Sequence, residues 1–156
     1  MSQLFDYFVC SRPIIERWAD AVEQQDDELQ QTIESQMPRL LTLRNIGPDE
    51  FNILAQCVEG DDVDTVDAVG QLDLVRAISE EGPWLMAFRQ PAVDAIAGMS
   101  VDVPLIQRWC KAVAEFFGTS EDFRRELLST ETAKSWKDLC SLAIEKRFGV
   151  FVCFYG

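Results

Sequence analysis

Leu4–Cys10 reads LFDYFVC and Val150–Tyr155 reads VFVCFY, and what these two stretches become decides the architecture. Each is short, aromatic and β-branched with little polar alternation, the composition of a strand covered on both faces. Two such strands near opposite ends of a chain point to one sheet that ties those ends together. Between them the pattern turns helical. Ser11 precedes a segment with Pro13 in its first turn, and Ile14, Ile15, Trp18 and Val22 recur at helical spacing, which predicts a helix over roughly 12–25. The polar run Gln24–Gln36 continues the helical pattern on a thin stripe of Leu29 and Ile33, and Arg39–Arg44 (RLLTLR) reads as a strand.

Gly47-Pro48-Asp49-Glu50 is a helix start with acids in the first turn, and Phe51, Leu54, Ala55 and Val58 form its buried face until Gly60 stops it. Leu72–Ile78 fits helix or strand, and helix is the reading adopted here. Gly82-Pro83 punctuates the chain, and Trp84–Phe88 follows as a strand. Pro91 opens a short helix that closes near Gly98. Pro104 opens a longer one with Leu105, Trp109, Val113 and Phe116 on one face and Gly118 at its end. Ser120–Leu128 is a further short helix. Thr130 is expected to cap the last, in which Trp136, Leu139, Cys140 and Ala143 align before Gly149. The expected fold is α+β, a single globular domain over 1–156 whose small sheet includes both terminal strands and is covered by several amphipathic helices.

One internal similarity stands out. Pro13–Val22 (PIIERWADAV) and Pro104–Val113 (PLIQRWCKAV) share six identities in ten positions. The likeness does not extend in either direction, and repeat architectures need about three units. It reads as two core helices shaped alike by the same demands of capping and packing.

Composition removes whole classes of chemistry. Among 156 residues there is no histidine, so Ser-His-Asp and Cys-His catalysis and imidazole metal sites are excluded. The five cysteines, at 10, 57, 110, 140 and 153, are odd in number and form no C-x-x-C pair. They read as small core residues of a protein in a reducing compartment, and a cytoplasmic location is expected. No apolar run approaches the roughly 20 residues of a bilayer span, and neither phosphate-cradling glycine motif is present.

The net charge of −13 is distributed unevenly. Residues 49–81 carry ten acids against Arg76 alone, and residues 16–34 carry seven against Arg17, whereas residues 104–156 are nearly neutral. Two acidic stretches are expected to form one negative face, which repels nucleic acid and anionic membranes. Within the larger stretch, Asp61, Asp62, Asp64 and Asp67 form a dense cluster. As a calcium loop counted from Asp62 it fails, because Val66 and Asp67 occupy positions five and six and Asp73 position twelve. A solvated acidic loop is the reading, with no metal and no cofactor. Glu80-Glu81-Gly82-Pro83-Trp84 places two carboxylates beside a turn and an aromatic surface, the raw material of a glycosidase or sugar site.

The chain resembles small bacterial proteins that open on an aromatic D-Y-F strand, here Asp6-Tyr7-Phe8. They carry an E-G-P-W segment, here Glu81 to Trp84, and finish with a helix running into an aromatic strand. The resemblance brings no activity and no site residues with it.

The function expected from these features is non-catalytic binding. An acidic surface that includes Asp61, Asp62, Asp64, Asp67, Glu80, Glu81 and Trp84 would meet a basic protein partner, as immunity or inhibitor proteins do when they block a basic cleft. The alternative is a hydrolase that relies on Asp and Glu carboxylates without histidine or metal. It requires a concave pocket in which one carboxylate has a raised pKa and converges with a second.

Overall fold

The computed structural model describes residues 2–60 and 72–155. The two terminal stretches are strands and lie side by side. β1 (Leu4–Cys10) pairs antiparallel with β5 (Gly149–Phe154), Tyr7 opposite Val152 and Phe8 opposite Phe151. Outside them lie β2 (Arg39–Arg44), against β1, and then β4 (Trp84–Phe88) and β3 (Leu72–Ala77) on the β5 side. The order is β2-β1-β5-β4-β3 with every pairing antiparallel.

Alternation along the strands divides the core in two. Phe8, Cys10, Leu85, Phe151 and Cys153 face a thin layer of two helices, α1 (Arg12–Glu23) and α2 (Asp27–Gln36), which contribute Ile15, Trp18 and Ile33. Tyr7, Val9, Phe88, Val150 and Val152 face the thicker layer. That layer holds α3 (Pro48–Glu59), α4 (Gln90–Gly98), α5 (Val103–Phe117), α6 (Glu121–Leu127) and α7 (Thr130–Lys146). At its centre the Trp136 ring meets Tyr7, Phe51 and Trp109 at centroid distances of 5.6, 5.1 and 5.6 Å. Such tilted and edge-on contacts add about 0.5–1.5 kcal/mol each beyond the area they bury.

The α+β architecture with both terminal strands in the sheet is thus present. The two similar decapeptides are α1 and α5, and each seats its tryptophan in the core, Trp18 on one side of the sheet and Trp109 on the other. All five cysteines are buried and free. Burial pushes Cys57 up to about 11 and Cys10 and Cys153 up to about 12, so these thiols stay protonated.

Two expectations need correction. Residues 72–77 form an edge strand and not a helix. Their apolar positions fit both periods, and pairing with β4 decides the outcome. A bulge between Leu74 and Arg76 interrupts the alternation, so Leu72 packs towards the thick layer and Val75 towards the thin one. At the last helix Ser129, and not Thr130, is the cap, its hydroxyl accepting from Thr132 N at 3.2 Å.

Candidate functional site

Residues 16–34 and the acidic start of α3 do not share a face. Residues 16–34 lie on α1 and α2 on one side of the sheet, while α3, which opens the second stretch, lies on the other. The chain crosses the sheet between them through β2, which separates the charges that adjacency in sequence had suggested to be one surface. On the thin layer Glu16, Asp20 and Glu23 follow one ridge of α1, and Asp26, Asp27 and Glu28 stand at the start of α2; all six are exposed. Arg12 meets Glu16 at 3.2 Å, and Arg76, reaching over from β3, pairs with Asp20 and lies 3.6 Å from Glu23. Exposed pairs of this kind contribute little stability and leave the ridge strongly negative.

Asp61, Asp62, Asp64 and Asp67 lie outside the described residues. Glu80 and Glu81 occupy the turn between β3 and β4, closed by Ile78 N donating to Pro83 O at 3.0 Å, and both side chains are exposed. Trp84 is half-buried, its ring 5.8 Å from that of Phe154. Trp84 therefore packs on the sheet, while the two glutamates that precede it stay in the exposed turn.

A groove of roughly 460 Å³ opens at the N-terminal end of α3, lined by residues from distant parts of the chain. Its apolar lining includes Phe5, Leu72, Phe117 and Phe154, and its charged lining is Asp49, Glu50 and Arg124. Local structure holds each charged group in place. Gln3 N donates to Asn45 Oδ1 at 2.8 Å and Asn45 N to Gln3 O at 2.7 Å, which fastens the β2–α3 connection to the start of β1. Tyr7, fully buried, donates its hydroxyl to Ile46 O at 2.7 Å. Gly47 follows, where a Cβ would lie 2.7 Å from the Phe5 ring, so any other residue forces that ring to move.

Glu50 is then at the third position of the helix, and its carboxylate turns back to accept from Gly47 N at 2.9 Å. Trp109 Nε1 donates to the Glu50 carbonyl at 2.9 Å, tying this turn to α5. Glu50 is only 5% exposed. Burial raises its pKa to about 7, and neighbouring Asp49 adds to the rise; its own and the Gly47 backbone N–H groups and the Arg124 guanidinium oppose it. Burial also raises Asp49.

Arg124 comes from α6, a short helix capped by Ser120, whose hydroxyl accepts from Phe123 N at 3.2 Å. It is 8% exposed, donates from Nε to Thr119 Oγ1 at 3.0 Å, and lies over the Phe117 ring at 4.4 Å. Its Nη1 is 3.8 Å from Glu50 Oε1, too far for a hydrogen bond. Among the described residues the terminal nitrogens of Arg124 make no hydrogen bond. A buried guanidinium paired with a buried carboxylate at a groove wall is an arrangement that favours a polar guest.

Missing this site from sequence has a simple cause. Glu50 carries the pattern of an ordinary first-turn acid, and its partner Arg124 sits in another element far along the chain. Among the described residues no group of three or more Cys, Asp or Glu side chains is placed to hold a metal. Comparison with family models, with curated proteins and with solved structures finds no match for this chain.

Proposed function

We propose that this protein is a non-catalytic binding protein that meets a basic protein partner through its acidic surface, in the manner of an immunity or inhibitor protein. One observation carries the reading: six exposed carboxylates, from Glu16 to Glu28, lie on α1 and at the start of α2 in the thin helical layer. A field of one sign accelerates encounter with a cationic partner and disfavours anionic ones, nucleic acid included. Asp61, Asp62, Asp64 and Asp67 extend the same chemistry in sequence. Among the described residues no helix is long and apolar enough to cross a membrane.

The test is salt dependence. A partner recovered at low ionic strength and titrated calorimetrically is expected to lose at least tenfold in affinity when salt rises from about 0.05 to about 0.3 M. Replacing Glu16, Asp20 and Glu23 together by Gln, Asn and Gln is expected to remove most of that dependence. Binding indifferent to salt and to this triple variant would defeat the proposal.

The carboxylate hydrolase is the competing reading. Exposed Glu80 and Glu81 lack a second acid converging on them among the described residues, so Glu50, buried and titrating near neutrality, is its better general acid. Turnover of a glycoside by the purified protein, lost in Glu50→Gln, would put that reading first.

A further inference from the structure

We infer that the groove between the start of α3 and α6 is a binding site for a free α-amino acid with an aromatic or large aliphatic side chain. Three features converge on this class of ligand, and none involves the acidic ridge across the sheet.

The first is the pairing of opposite charges at short range. Arg124 Nη1 and Glu50 Oε1 form an ion pair at 3.8 Å, beyond hydrogen-bond distance, so a ligand can bridge them from the groove. Arg124 spends one donor on Thr119 Oγ1 and, among the described residues, none of its terminal N–H groups on an acceptor. Glu50 spends one oxygen on Gly47 N and turns the other towards Arg124. An α-amino acid carries its carboxylate and its ammonium on the same carbon. It therefore presents an acceptor for the guanidinium and a donor for the carboxylate at neighbouring points. A guanidinium is the better carboxylate receptor because its planar fork binds both oxygens.

The second feature is the balance of charge. Asp49, Glu50 and Arg124 all line the groove, so it contains both signs. A simple cation would face Arg124, and a simple anion would face two carboxylates. A zwitterion is opposed by neither.

The third is the apolar remainder. Phe5, Phe117, Phe154 and Leu72 line the same groove, and roughly 460 Å³ lies within the range of small-molecule sites, about 300–1,000 Å³. A side chain leaving the α-carbon has aromatic and aliphatic surface to rest on. Rigid anchoring of the polar groups, through Trp109 and Gly47 on one side and Thr119 and Phe117 on the other, means that little ordering is left for the moment of binding.

The experiment is a titration of the full chain, followed by ¹H–¹⁵N correlation spectra, with L-phenylalanine and L-leucine. Phenethylamine, which lacks the carboxylate, 3-phenylpropionate, which lacks the amine, and N-acetyl-L-phenylalanine complete the series. Saturable shifts at Gly47, Glu50, Phe117 and the Arg124 side chain are expected for the free amino acids, with at least tenfold weaker binding for each of the three incomplete compounds. Glu50→Gln and Arg124→Lys are each expected to weaken L-phenylalanine at least tenfold while the circular dichroism spectrum is unchanged. If either variant fails to fold, the ligand series decides by itself. The inference is overturned if no free amino acid gives a saturable shift at these residues up to roughly 10 mM, a ceiling far above ordinary site affinities. Equal binding of phenethylamine or 3-phenylpropionate would overturn it as well. None of these outcomes bears on the salt-dependent partner binding proposed for the ridge.

Discussion

Glu50 holds its proton in the folded protein to about pH 7, whereas in the unfolded chain the ordinary value of 4.5 applies. Between those two values the native state binds more protons than the unfolded state, so this group makes stability fall as pH rises. Its contribution is complete below about 4.5, lost as pH passes through about 7, and constant above it. A displacement of this size corresponds to an effect on the order of 3 kcal/mol at most. Glu50→Gln removes the titration, and chemical denaturation at pH 5 and pH 8 is expected to show a smaller decline for the variant than for the parent. Parallel declines would show that Glu50 is solvated in the native protein. The difference in slope is the quantity to read, because the substitution also alters the contact with Arg124. From sequence, Glu50 was indistinguishable from Asp49 as a first-turn acid. What sets it apart is its closure onto Gly47 N and its cover by distant α5 and α6, and neither leaves a local mark in the chain.

At the level of elements, prolines and caps did much of the specifying. α1, α3, α4 and α5 each carry proline in the first turn, where its missing N–H costs nothing and its fixed φ suits a helix. Those starts were readable, as was the end of α5, where Gly118 adopts φ 66°. β3 was not readable, because an edge strand with a bulge lacks the clean alternation that separates strand from helix. The quality of the caps differs between the two similar helices. Asp102 accepts from Leu105 N at 2.9 Å at the start of α5, whereas Ser11 makes no side-chain cap bond at the start of α1. Asp102→Ala is expected to cost about 1 kcal/mol in denaturant unfolding and Ser11→Ala a few tenths at most. Equal losses would refute this assignment of the caps. Because α5 delivers Trp109 to the turn that holds Glu50, Asp102→Ala is also expected to loosen the groove.

Across the molecule, charge and architecture are linked. The sheet keeps the carboxylates of α1 and α2 apart from those of α3. Self-repulsion within the ridge opposes the compact state, and salt relieves it. Thermal unfolding midpoints are expected to rise between about 0.01 and about 0.1 M salt, as the screening length falls from about 30 to about 10 Å. A midpoint that stays level or drops would place the net repulsion elsewhere than in the folded chain. The sheet was anticipated from its two aromatic strands, since burial on both faces is written directly into their composition. Its strand order was not, because pairing partners depend on loops and helices that bring distant segments together. That order carries a kinetic consequence. Among the described residues β5 alone joins the β2–β1 pair to the β4–β3 pair, yet it is the last of the five along the polypeptide. Two half-sheets must therefore remain separate until the final strand slots between them like a keystone, a long-range closure of the kind that makes folding slow.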